Sequence, residues 1–299
     1  MKLVLANNQS DKFVQFHEDL QANKKIYDYA GYDGLLFHFE AGKSSFVHVD
    51  TRRQSSDYTG VYLNGYLTTP EIAATAATVL GSNGIRYVNS ELDGVLSLSK
   101  LSAYAKLAAS DVSIPKTYGG AARALIRGLK EGRIDLSGRF VLKRADADRG
   151  IDNFLLDTQE EVLGKLQLAD DRSLWLIQEF IPNDGFYLVS FYHGEPRFGI
   201  YRTLEERPDG NRELGHMYKP AGGINAVSCR VEDIPKPVLA QAATAIKSLR
   251  REIGSVDVVV DSITGEAYVL EVNYNPQLVT ISTFTELRRQ AFLDAIDEL

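Results

Sequence analysis

Strand-type and helix-type segments alternate along almost the whole chain, and this alternation restricts the fold more than any other feature. Lys2–Ala6 is a short apolar strand, and Asp11–Tyr29 has the length of a helix. Gly34–Glu40 alternates as a strand does, with Leu35, Phe37 and Phe39 set against Leu36, His38 and Glu40. Val61–Leu63 is a weaker strand. Thr69, Pro70 and Glu71 open a helix that ends near Gly81: Thr as N-cap, Pro at the first helical position, Glu in the first turn. Ile85–Asn89 is the next strand. The first ~95 residues therefore read as a small α/β domain of βαβ units, followed by a polar break at Ser97–Ser99.

The middle continues with helices at Ser99–Ser110 and Tyr118–Lys130, strands at Arg139–Arg144 and Ile151–Leu156, a helix at Thr158–Leu168 and a strand at Leu174–Ile181. Phe186–His193 and Pro196–Thr203 follow as strands joined by a hairpin signal at His193, Gly194 and Glu195. A polar loop, Glu205–Gly223, precedes a long helix, Pro235–Ile253, opened by Pro and closed by Gly254. Two short strands and a helix at Thr283–Glu298 end the pattern. The class is α/β with α+β character.

Composition removes several function classes. Hydrophobic residues are 44% and charged residues 24% of the 299, as in soluble globular chains, so extended disorder is not expected. The apolar runs are too short to span a bilayer, and the start, MKLVLANNQS, has no secretory pattern. The net charge of −7 argues against a nucleic-acid or anionic-membrane surface, while leaving room for a local basic phosphate pocket. The single cysteine, Cys229, excludes an internal disulfide and a multi-cysteine zinc site, which fits a reducing cytoplasm. Two motifs mislead. Ala41, Gly42, Lys43 and Ser44 look like the end of a phosphate-binding loop, but the glycine needed five residues before Gly42 is Phe37. The five histidines show no metal-ligand spacing.

The chemistry concentrates in Ser255–Gln277. It reads as a hairpin pairing Val256–Asp261 with Glu266–Val272 across a three-residue loop, Ile263, Thr264 and Gly265, with Gly265 in the left-handed position. In that register Ser262 faces Glu266 and Asp257 faces Glu271, so Asp257, Glu271 and Asn273 project from one face. Two carboxylates and an amide oxygen suit Mg²⁺, which takes hard oxygen ligands completed by water and phosphates. A solvated hairpin face would carry the same residues.

Val269, Leu270, Glu271, Val272, Asn273 and Pro276 form a string that resembles the ending of the catalytic domain in the ATP-grasp superfamily. Four further segments resemble that family in the same order: Ser99 and Lys100 with Val112–Thr117, Phe140–Lys143, Ile177–Ile181, and Asp257. The likeness covers about residues 96–280, and the pattern is similar to ribosomal-protein glutamate ligases and glutathione synthetases. It implies an N-terminal α/β substrate domain (1–95), a central lid subdomain (96–180) and a C-terminal subdomain with the metal site (181–299).

The resemblance also implies roles. Lys100 and Lys143 would bind phosphates, and Gln178, Glu179, Phe180 and Ile181 would hold adenine. Asp184 is the nearest candidate for the ribose. Asp257, Glu271 and Asn273 would ligate Mg²⁺ (two ions, with Mn²⁺ as an alternative). Arg202 and Lys219 would be catalytic, on the γ-phosphate or acyl phosphate and on the substrate. The family's glycine-rich lid is poor in glycine here. Only Gly150 remains among Lys143–Asp152, and Arg149, with Arg144, would offer guanidinium partners to phosphates instead.

The implied activity is ATP-dependent carboxylate–amine ligation through an acyl phosphate, acting on a small carboxylate and an amine such as an amino acid or peptide. Two alternatives stay open, a small-molecule kinase and a nucleotide-binding module without catalysis. Arg52, Arg53, Tyr58, Asn64 and Tyr66 are generic candidates for contacting substrate. A homo-oligomer would be in keeping with similar enzymes.

Overall fold

The computed structural model describes all residues except 8–10, 22–25, 41–42, 49, 67–68, 94–99, 135–137, 146–151, 171–172, 204–224 and 275–284. In the N-terminal part, β1 (Lys2–Leu5) lies parallel between β2 (Tyr27–Ala30) and β6 (Gly60–Leu63), and β7 (Arg86–Val88) extends the sheet. The helix expected over Asp11–Tyr29 is shorter: α1 covers Asp11–Leu20 and β2 begins at Tyr27. Gln21 explains the change of course, because its Oε1 accepts the backbone N–H groups of both Ile26 and Tyr27 and draws the chain into the strand. α2 (Pro70–Ser82) follows its start signals, although Thr69 donates its hydroxyl to Asn7 Oδ1 at 2.7 Å rather than capping. β3 (Leu35–Glu40) and β4 (Lys43–His48) form an antiparallel ladder that pairs Lys43 with Glu40, and β5 (Arg53–Gln54) borders it. Lys43 and Ser44 thus belong to a strand and not to a phosphate loop at a helix start.

The central sheet has the order β10-β9-β11-β8 and is wholly antiparallel. Its strands are β8 (Thr117–Ala121), β9 (Phe140–Arg144), β10 (Asn153–Leu156) and β11 (Leu174–Glu179). A helix was expected over Tyr118–Lys130, but β8 takes its first residues and α4 covers only Ala122–Lys130. Gly119 and Gly120 are poor helix residues, and they pair with Leu176 and Trp175. α5 (Gln159–Gln167) starts with a capping box between Thr158 and Glu161. α4 and α5 cover one sheet face through Leu125, Leu129, Val162 and Leu166 against Leu142, Trp175 and Ile177. α3 (Lys100–Ala108) covers the other through Leu101 and Tyr104 against Leu176. Lys143 and Leu176 are cross-strand partners, so Lys143, Leu176 and Gln178 all face α3.

The C-terminal sheet has the order β14-β13-β12-β15-β16, again antiparallel. β12 (Gly185–Tyr192) and β13 (Glu195–Thr203) turn at His193 and Gly194, both with positive φ (53° and 78°), as a tight hairpin requires. β14 (Asn225–Cys229) has no counterpart in the sequence reading. α6 covers Lys236–Ser248 and stops short of the expected Ile253: Arg250 turns the chain at φ 55°, and Gly254 is the first residue of β15 (Gly254–Val260) rather than a helix stop. α6 packs on one face of the sheet through Val238, Ala242 and Ile246. α7 (Thr285–Glu298) lies between the other face and the N-terminal sheet, in a cluster of Val4, Tyr27, Tyr62, Phe198, Ile200, Phe292 and Ile296.

Candidate active site

The hairpin of β15 and β16 (Ala267–Asn273) carries the acidic residues. Its turn closes with Asp261 N–H to Glu266 O and Gly265 N–H to Asp261 O, both 2.8 Å, and Gly265 has φ 75°. The loop is therefore Ser262–Gly265, four residues rather than the three expected, which shifts the register by one: Val258 faces Val269. A bulge between Asp257 and Val258 restores it, and Asp257 faces Glu271 as expected. Asp257, Glu271 and Asn273 consequently share one face of the sheet, and Asn273 hydrogen-bonds Asp257.

Asp257 Oδ1 is shut off from solvent and has no hydrogen-bond partner among the described residues. Burial, and then the neighbouring Glu271, push the Asp257 carboxyl up to about 7, against the opposing pull of Arg202, the Asn273 hydrogen bond and Lys143. Lys100 in the first turn of α3 reaches across, with Nζ 3.4 Å from Glu271 Oε1. The chain thus brings Lys100, Lys143, Arg202, Asp257, Glu271 and Asn273 into one locality. Arg202 lies on β13 with its guanidinium 5.6 Å above the Phe186 ring, and its Nε is buried without a partner among the described residues. Beside these charges the sheet offers an apolar floor of Ile181, Phe186, Leu188, Val259, Tyr268 and Leu270.

The remaining expected residues fall elsewhere. Gln178 is buried, with its amide turned inward to Lys143, Tyr104 and Thr117. Glu179 N–H donates to Lys116 O at 2.9 Å and Phe180 N–H to Arg139 O at 3.0 Å, so these two amides already have partners. Asp184 is exposed and borders a cleft of about 270 Å³ with Tyr187, Tyr201 and Pro237. Val260 lines the same cleft and Tyr187 pairs with Val258, so the cleft opens on the face opposite Asp257. Lys219, Arg149 and Gly150 lie outside the described residues. Sequence reading missed Tyr104, whose hydroxyl reaches Lys143, Gln178 and the Leu270 carbonyl. The available signal was its spacing, four residues after Lys100 and hence on the same helix face.

No family model and no curated protein matches the sequence. Solved structures do. The ATP-grasp ligase PsnB in complex with a minimal precursor superposes with a TM-score of 0.66 at 14% identity, over 99% of this chain and 98% of that one. The D-alanyl-alanine synthetase A of Vibrio cholerae gives 0.63 at 13% identity, covering 99% and 97%. A RimK domain ATP-grasp protein of Sphaerobacter thermophilus gives 0.59 at 18%, covering 98% of each. The chain has the ATP-grasp fold. Within this ATP-grasp fold, α3 and the central sheet present the lysines, and the C-terminal sheet presents the carboxylates and Arg202.

The donors fit a divalent metal. A carboxylate oxygen that is buried and has no hydrogen-bond partner among the described residues, on a carboxyl raised in pKa by burial and then by a second carboxylate, and flanked by an amide oxygen, is a hard-oxygen set of the kind a divalent cation takes. Lys100 supplies part of that charge to Glu271 in this structure.

Proposed function

We propose that this ATP-grasp chain is an ATP-dependent carboxylate–amine ligase. The observation that carries the reading is the buried Asp257 Oδ1, without a hydrogen-bond partner among the described residues, beside Glu271 and Asn273 and near Lys100, Lys143 and Arg202. Three cations and an acidic oxygen set in one place suit a polyphosphate with Mg²⁺ better than they suit water alone. Asp257, Glu271 and Asn273 would hold the metal (two ions, with Mn²⁺ as a substitute), which when bound neutralises phosphate charge.

The chain's own groups do the remaining work. Lys143 and Lys100 bind phosphate oxygens as compact cations. Arg202 orients the γ-phosphoryl group and spreads charge from it as the bond to ADP breaks. A substrate carboxylate oxygen attacks the γ-phosphorus and ADP leaves. The amine nitrogen then attacks the acyl carbon, phosphate leaves, and the amine gives up a proton. Most of the rate gain would come from holding the reactants in line. The apolar floor around Ile181 and Phe186 would seat the base. Residues 1–95 would contribute to the substrate site, 96–180 would form the lid, and 181–299 the metal-bearing unit. Substrates would be a small acid and an amino acid or peptide. The neighbour PsnB, solved with a precursor peptide, motivates including peptides. Lys219, Arg149 and Gly150 keep the roles that the family likeness implies, and the exposure of Asp184 away from the cations weakens its ribose role.

Glu271→Gln keeps the shape and removes one charge. It should reduce Mg²⁺-dependent ADP formation by at least about a hundredfold while the circular dichroism spectrum and melting cooperativity stay as in the wild type. Turnover at the wild-type rate would refute the metal assignment.

A further inference from the structure

We infer that the Tyr104 hydroxyl is a positioning group that aims the Lys143 ammonium and the metal-bearing strand at one another, an inference that rests on the proposed ATP site. Tyr104 is almost wholly buried on α3. Its oxygen accepts from Lys143 Nζ at 3.0 Å and from Gln178 Nε2 at 2.8 Å, and its proton goes to the Leu270 carbonyl at 2.6 Å. A phenol has one donor and two acceptor positions, so all its capacity is used. Each partner belongs to a different part of the site. Lys143 is on β9, Gln178 on β11, and Leu270 is the residue in the β16 bulge immediately before Glu271.

Lys143 has three N–H groups. Tyr104 holds one and Gln178 Oε1, at 2.9 Å, holds another. Two fixed bonds on a tetrahedral ammonium set the direction of the third, so the lysine cannot swing freely. The bulge is held at the same oxygen. Leu270 has no cross-strand partner in the register, and the Tyr104 hydroxyl takes its carbonyl. One turn earlier on the same helix, Lys100 meets Glu271, so α3 grips adjacent β16 residues with adjacent turns. The geometry therefore makes α3 a bracket between the central sheet and the acidic hairpin, with Tyr104 as its junction.

The test is a double-mutant cycle read by calorimetric binding of Mg²⁺ with a non-hydrolysable ATP analogue. Tyr104→Phe keeps the ring and removes the oxygen. It should raise Kd about tenfold, the effect of losing one hydrogen bond to a charged group. In a Lys143→Ala background the same change should cost clearly less than tenfold, because only the hold on the Leu270 carbonyl is then left to lose. Thr158→Ala, which removes the α5 cap, is the stability control: it should lower Tm and leave Kd unchanged. Wild-type binding with equal Kd in Tyr104→Phe would overturn the inference and leave the ATP site standing. So would a full tenfold effect that persists without Lys143. A wild-type protein that does not bind would overturn the ATP site and the inference together. If Tyr104→Phe fails to fold, Gln178→Leu removes the other lysine partner, and an unchanged Kd there overturns the inference.

Discussion

A buried carboxylate oxygen without a donor costs stability, and Asp257, whose Oδ1 has none among the described residues, has a second carboxylate beside it. The raised carboxyl means that the charged form is the strained one, so the strain is fully developed above about pH 7. Asp257→Asn should accordingly stabilise the ligand-free protein by roughly 1–3 kcal/mol at pH 8, read as a higher Tm, while abolishing ADP formation. A lower Tm would show that the carboxylate is held by structure and not reserved for a cation. His17 presents the opposite sign. It is buried, accepts or donates at Tyr27 OH at 2.7 Å, stacks on Tyr29, and burial lowers its pKa to about 3. The unfolded chain then binds more protons than the folded one between about pH 3 and 6.5, so stability is full above pH 6.5 and falls as pH drops. Between pH 7 and pH 5 this one site should cost about 2 kcal/mol in chemical denaturation, and His17→Leu should remove that part of the slope.

Among the elements, those with local causes were legible and those set by distant partners were not. The hairpin of β15 and β16 declared itself through alternation and Gly265, and α5 through its Thr158 box. Two of the misreadings concern segments that a strand elsewhere in the chain claims. Tyr27–Ala30 is a strand because β1 pairs with it, and Thr117–Ala121 because β11 does. The bulge at Leu270 was equally hidden, since its stabilising contact comes from Tyr104. Within the site, the shared face of Asp257, Glu271 and Asn273 was readable from residue type and spacing, and Lys100, Lys143 and Arg202 became candidates only through the family likeness, whereas the inward turn of Gln178 and the outlying place of Asp184 depend on packing. Gly254 marks how tightly β15 and β16 approach. A Cβ there would lie 2.6 Å from the Asn273 carbonyl oxygen, on backbone that has nowhere to go. Gly254→Ala should destabilise the fold by about 1–3 kcal/mol and lower Mg²⁺-dependent turnover together, checked by Tm and ADP release on the same sample.

For the molecule as a whole, the N-terminal sheet is locked to the segment leading into β15. Arg251 and Glu91, both buried, pair at 3.1 Å across 160 residues of sequence, with the Tyr66 hydroxyl on Glu91 and the Tyr274 ring 3.6 Å from the guanidinium. Ile253 N–H donates to Asn89 Oδ1 at 3.0 Å beside them, and Arg251 also donates to the Val272 carbonyl. The end of β7 is thereby fixed against the strand that carries Glu271 and Asn273, which places the open end of the N-terminal sheet beside the acidic hairpin. No described helix is long and apolar enough to cross a membrane. The most direct test of the central claim is ADP release from Mg·ATP in the presence of pooled amino acids, small acids and short peptides, with mass spectrometry of the products and Glu271→Gln as control. The account predicts substrate-dependent ADP together with a new amide mass, both lost in Glu271→Gln. ADP with a phosphorylated product and no amide, or ADP formation that survives in Glu271→Gln, would contradict it.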